Sequence, residues 1–156
     1  MELRLRELHS DDAGELTRIH RTPEVSRWWG RPADGFPFED PEPTRLVVEV
    51  EGRIAGMVQF VEEPDPKYRH ASMDLFLDPD LHSRGLGTRA VDALKRTLIE
   101  DRGHHRITID PAHENLAAIR AYEKAGFRRV GRMELAERDS EGDGWHDQLL
   151  MEFVAR

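Results

Sequence analysis

Residues 71–88, Ala71-Ser-Met-Asp-Leu-Phe-Leu77-Asp-Pro-Asp-Leu-His-Ser-Arg-Gly85-Leu-Gly87-Thr88, carry three local signals in a fixed order. Ala71 to Leu77 reads as a strand that stops at Asp78-Pro79. Gly85-Leu86-Gly87 then opens a helix whose apolar face carries Ala90, Val91, Leu94 and Leu98, while Arg89, Asp92, Lys95 and Arg96 point elsewhere. Glycine lets another group approach the backbone closely, and the first amides of a helix converge on anions. The stretch is a strand, a connector and a candidate anion-binding turn.

Several arrangements use such a turn, and a plain structural turn is one of them. A P-loop is excluded, because Gly-x-x-x-x-Gly-Lys-[Ser/Thr] occurs nowhere in the chain. Gly85-Leu86-Gly87-Thr88-Arg89-Ala90 fits the dinucleotide fingerprint Gly-x-Gly-x-x-Ala, and Asp110 stands at a later strand end. That fingerprint follows its strand immediately, whereas Asp78 to Arg84 intervene here and three strands precede the unit. An acyl-CoA turn leaves a connector of about this length before its glycines.

Outward from this unit, Leu3 to Arg6 alternates like a half-buried strand, and Ser10-Asp11 caps a helix through Leu16 and Ile19. Five prolines, Trp28-Trp29, Phe36 and Phe38 between Pro23 and Pro43 predict a short helix and a long irregular loop. Leu46 to Val50 and Ile54 to Val61, joined through Glu51-Gly52-Arg53, read as a hairpin. Arg106 to Asp110 is a further strand, followed by a helix with Asn115 at its start and Gly126 just beyond its end. Arg128 to Leu135 and Trp145 to Val154 complete the set. The order β-α-α-β-β-β-α-β-α-β-β predicts a mixed α+β fold on a central mixed sheet.

The 156 residues suit one domain spanning 1–156. A formal net charge of −8 argues against nucleic-acid binding, which needs a basic footprint, and suits a cationic small molecule. The absence of cysteine excludes disulfides, thiolate metal sites and a cysteine nucleophile. No apolar run approaches the roughly 20 residues that cross a bilayer, so a cytoplasmic protein without membrane association is expected. His82, His113 and the adjacent pair His104-His105 lack ligand spacing, so no metal is expected.

His82-Ser-Arg-Gly-Leu-Gly-Thr88 resembles the pyrophosphate motif of the GNAT superfamily, [Gln/Arg]-x-x-Gly-x-[Gly/Ala], departing from it at His82. Asn115-Leu-Ala-Ala-Ile-Arg-Ala-Tyr122-Glu-Lys-Ala-Gly-Phe127 is similar to its second signature, and both occur in the expected order. Asp110-Pro111, Asn115, Ala118 to Phe127 and the Trp28-Trp29-Gly30 cluster look more narrowly like the aminoglycoside 6′-N-acetyltransferase branch. The resemblance implies a sheet whose fourth and fifth strands splay around acetyl-CoA, a primary amine acceptor, a role in antibiotic resistance and a monomer or homodimer. It places the cofactor against Phe76, Leu77, Arg84, Gly85, Leu86, Gly87, Thr88, Asn115, Ala118 and Tyr122.

Attack on a thioester needs a neutral amine and a protonated leaving thiolate. Asp74, a carboxylate within the apolar run Met73 to Leu77, either faces the cleft to handle the amine or lies on a solvated strand face. Tyr122 either donates a proton to the CoA thiolate, as the resemblance implies, or packs in the core. Asn115 caps its helix, touches the pantetheine arm, or does both. Asp110, Trp28 and Trp29 are assigned to the acceptor, although the aromatic residues equally suit anchoring of the long loop. Glu62, Glu63 and Asp65, opposed by Glu141, Asp143 and Asp147, form either an acidic acceptor rim or solvated charge runs.

Overall fold

The computed structural model describes residues 2–156. Its strands are β1 (Leu3–Glu7), β2 (Thr44–Val50), β3 (Arg53–Glu62), β4 (Ala71–Leu77), β5 (Arg106–Ile109), β6 (Arg128–Arg138) and β7 (Trp145–Val154). Its helices are α1 (Ala13–His20), α2 (Pro23–Trp29), α3 (Leu86–Arg96) and α4 (Leu116–Lys124). One sheet takes in all seven strands in the order β1-β2-β3-β4-β5-β7-β6. Glu51 and Gly52 both adopt positive φ, the backbone that a two-residue hairpin between β2 and β3 requires.

Strand pairing is antiparallel except between β4 and β5, which α3 connects as a crossover. Their parallel ladder consists of Ala71↔Ile107 and Ser72↔Thr108. Beyond those pairs the two strands separate, which is the expected splay, and the gap opens toward the start of α3.

Alternation along the strands feeds two cores. Val48, Val58, Met73, Leu75, Leu77 and Ile107 pack with Leu86, Ala90, Leu94, Ile119 and Tyr122 under α3 and α4. On the opposite face, Val47, Met57 and Phe76 pack with Leu16 and Ile19 of α1, Val25 of α2, and Phe36. Phe36 thereby anchors the long loop, edge-on to buried His20 with ring centroids 4.8 Å apart, while Phe38 is exposed. The last apolar residue expected on α3, Leu98, falls in a π-helical turn over Thr97–Asp101 and is still fully buried. Strand β6 runs three residues past its expected end at Leu135, for a reason that lies in the candidate site.

Gly56 of β3 pairs with Leu77 of β4. A Cβ built there overlaps the Phe76 carbonyl oxygen and comes within 2.9 Å of Leu77 Cα. Both obstacles are backbone, so relief requires moving the strand that floors the gap. Gly56→Ala is therefore expected to destabilise the protein by about 1–3 kcal/mol, measured by urea unfolding. A change within 0.5 kcal/mol, the range of ordinary surface substitutions, would show that β4 moves freely.

Candidate active site

The gap between β4 and β5 is a cleft of about 810 Å³. Its walls come from four places: the ends of β4 and β5, the glycine turn, α4, and a flank made of α2 and the β6–β7 hairpin. Among the sequence-assigned residues, Asp74, Phe76, Leu77, Gly85, Gly87, Thr88, Asp110, Asn115, Ala118, Tyr122, Trp28 and Trp29 all line it. Arg84 is exposed and lies outside this lining, and Leu86 is buried in the core, which leaves only its backbone to serve a ligand.

The turn is held from both ends. At its root, Asp78 is buried and paired with Arg18 (2.7 Å) and Arg53 (3.0 Å), and its amide donates to the Ala55 carbonyl. At its far end, His82 Nε2 lies 3.1 Å from the Leu77 carbonyl oxygen and ties the connector back to β4. Gly85 is left-handed (φ 73°) at the N-cap of α3, and the space where its Cβ would stand is open. The first helical bond there runs from Arg89 N–H to the Gly85 carbonyl. The amides of Leu86, Gly87 and Thr88 therefore have no partner within the helix. Unpaired amides, the positive helix end and open space fit a pyrophosphate.

Across the cleft, Asn115 caps α4, its Oδ1 accepting from the Ala118 amide (3.2 Å). Gly126 (φ 96°) closes the same helix, where the Phe127 amide donates to the Tyr122 carbonyl. These caps fix the helix that carries Tyr122. Trp29 packs edge-on to Phe76 (5.1 Å) and its Nε1 donates to the Leu75 carbonyl (3.3 Å), so it braces β4 as well as lining the cleft. Trp28 is stacked beneath the Arg27 guanidinium (4.4 Å).

Asp74 faces the cleft. The residue as a whole is exposed, and desolvation of its carboxyl by the surrounding protein pushes its pKa up to about 7. The Leu75 amide (2.8 Å) works in the opposite direction, and the charges of Asp110 and Glu137 raise it further. Asp110 is raised by desolvation and by Glu137. Tyr122 is nearly buried, and burial, then Asp74 and Asp110, hold its phenol well above the usual tyrosine range. The cleft thus contains a carboxylate poised near neutrality and a phenol that stays protonated.

Glu137 is a cleft residue that sequence reasoning missed. Between Met133↔Gln148 and Glu137↔His146, three β6 residues oppose the single β7 residue Asp147. Leu135 takes positive φ in this bulge, and its amide donates to Asp147 Oδ1 (2.8 Å). The bulge extends β6 and turns Glu137 toward the cleft. Asp147 thus serves the bulge and, like the other five candidate rim acids, lies outside the cleft lining. Glu62 is bound to Arg102 and His104, and Asp143 pairs with Arg138 at the hairpin tip. Among the described residues no group of three His, Asp or Glu is placed to hold a metal ion, and no helix is long and apolar enough to cross a membrane.

Residues 3–127 match the Acetyltransferase (GNAT) family. A kanamycin resistance protein of Rhizobium radiobacter is 46% identical over 70 residues, which are 45% of this chain and 64% of that protein. That match spans less than two-thirds of the relative. Spermidine N(1)-acetyltransferase of Escherichia coli (strain K12) is 26% identical over 141 residues, covering 84% of this chain and 75% of its own. Among solved structures, aminoglycoside acetyltransferase AAC(6')-Ib in complex with coenzyme A and kanamycin superimposes with a TM-score of 0.80 at 26% identity, covering 98% of this chain and 95% of that one.

Proposed function

The chain belongs to the GNAT acetyltransferase family, and from that premise we propose that it moves the acetyl group of acetyl-CoA onto a primary amine of a small polycation, an aminoglycoside first among them, in the cytoplasm. The observation that carries this reading is one cleft holding the free amides of the glycine turn, the Tyr122 phenol and the three carboxylates Asp74, Asp110 and Glu137. The relatives that bind or acetylate aminoglycosides and spermidine support the same acceptor chemistry.

The amides of Leu86, Gly87 and Thr88 would hold the pyrophosphate of acetyl-CoA, and the ends of β4 and α4, at Leu77, Asn115 and Ala118, would flank its pantetheine arm. Bound there, acetyl-CoA supplies the thioester that the amine attacks. Asp74 accepts a proton from the amine as the new N–C bond forms. The Tyr122 phenol holds a proton for the departing sulfur. The carboxylates of Asp110 and Glu137 bind the further ammonium groups of a polycation, and Trp28 and Trp29 wall the acceptor side.

A polyamine acceptor is the second reading, favoured by the spermidine enzyme's longer alignment with this chain. The test is CoA release in a panel containing kanamycin, spermidine and a simple monoamine. Release with a polycation at a kcat/KM at least about tenfold above the monoamine, equivalent to 1.4 kcal/mol of added recognition, is expected. Kanamycin against spermidine then chooses between the readings. Binding of acetyl-CoA without release of CoA with any amine would reject acetyl transfer.

A further inference from the structure

Arg27, Arg120 and Lys124 all line the cleft, but they come from different walls. Arg120 and Lys124 belong to α4, which meets the glycine turn where Thr88 Oγ1 donates to the Ala121 carbonyl (3.3 Å). They suit the phosphates of acetyl-CoA. Arg27 belongs to the α2 flank, on the acceptor side with Trp28 and Trp29. A positive charge there is unexpected in a cleft where Asp74, Asp110 and Glu137 attract a cation.

Nothing on α2 neutralises that charge. The guanidinium lies over the Trp28 ring, 4.4 Å from its centroid, and no ion pair engages it among the described residues. Arg18 of α1, by contrast, pairs with both Glu15 and Asp78. Glu24 also lines the α2 flank, one helical turn before Arg27, where side chains three residues apart are neighbours. The Arg27 charge therefore offsets the pull that Glu24 would exert on an ammonium group. It also covers a face of Trp28, the surface of an indole that would otherwise attract a cation. The flank is held in place. Ser140 Oγ of the β6–β7 hairpin donates to the Arg27 carbonyl (3.4 Å), and the Gly30 amide closes α2 on the Ser26 carbonyl (2.9 Å).

We propose that Arg27 sets acceptor specificity by repulsion, so that the part of the acceptor lying against α2 carries no positive charge. This rests on the acetyl-transfer reading above and narrows its acceptor class. The ammonium groups are confined to Asp74, Asp110 and Glu137. The remainder, facing α2, presents neutral atoms such as hydroxyl or ether oxygens, to which guanidinium N–H groups can donate. A polycation with more ammonium groups than these carboxylates take is held back, because one of them must approach Arg27.

Kanamycin compared with a simple monoamine tests this. The ratio of their kcat/KM values, read by CoA release, should rise about threefold in Arg27→Gln, which removes the charge, and about tenfold or more in Arg27→Glu, which reverses it. Being a ratio, it is indifferent to any fraction of a variant that fails to fold. The rise should shrink between about 0.01 M and 0.15 M salt, over which the screening length falls from roughly 30 to 8 Å. An unchanged or lower ratio, or a rise insensitive to salt, would overturn the proposal. Titration of kanamycin into the CoA-saturated protein reads the same difference without turnover, and Arg27→Glu should tighten binding about tenfold. If the wild-type chain releases no CoA with any amine, the acetyl-transfer reading falls. Tighter kanamycin binding by Arg27→Glu would then still uphold the role of Arg27, and binding no tighter than wild type would overturn it.

Discussion

Replacing Asp74 by Asn is expected to lower kcat by about 10²–10⁴-fold, the usual contribution of a positioned general base, and at the same time to stabilise the protein. The activity loss follows from position: Asp74 faces the cleft, and its pKa of about 7 matches a base working near neutrality. Wild-type turnover should accordingly fall as the pH drops through about 7, far above the ordinary aspartate value of 3.8. The stability gain follows from linkage. The folded-state pKa lies above the unfolded one, so between 3.8 and about 7 the folded chain binds more protons, and stability is lost as the pH rises across that window. Asn removes that loss, so the melting temperature of the variant should exceed that of wild type on the alkaline side of neutrality. A variant with normal kcat, or one less stable than wild type there, would show Asp74 to be a structural residue.

Tyr122→Phe is the second large effect. Burial and the neighbouring carboxylates keep the phenol protonated, so it serves as a donor and not as a base. Removing the hydroxyl should lower kcat about 10²-fold and leave the affinity for acetyl-CoA within about threefold, since the ring stays buried in the same hydrophobic cluster as Ile119 and Leu77. Stopped-flow measurement of CoA release with a saturating amine reads this directly. Equal losses in binding and in rate would mean that Tyr122 only shapes the cleft.

What the sequence disclosed was the part governed by local rules. Gly85-Leu86-Gly87 after Asp78-Pro79, and Asn115 to Gly126 with a cap at each end, are turn and helix signals read over a few residues. They place the anion turn and Tyr122, and Asp74 stands out as a charge in an apolar strand. Side-chain direction was less accessible. Arg84 and Leu86 share the motif with Gly85, yet one is exposed outside the cleft and the other packs inward, because a helix start turns successive residues by about 100°.

Long-range pairing was not accessible at all. Glu137 enters the cleft because β6 has a bulge against β7, and strict alternation gives no hint of one. Glu62 looks like an acceptor acid until Arg102 and His104, forty residues on, are folded against it. Gly56 reads as an ordinary strand glycine, although the Phe76 carbonyl leaves its Cβ no room.

The central claim is that the cleft between β4 and β5 transfers acetyl directly from CoA to an amine. Mass spectrometry after incubation with acetyl-labelled acetyl-CoA and kanamycin or spermidine tests it most directly. The label should appear on an amine of the acceptor, in step with free CoA, with none on the protein and almost none in Asp74→Asn. Label held on a protein side chain, or an acceptor labelled equally well by Asp74→Asn, would contradict it.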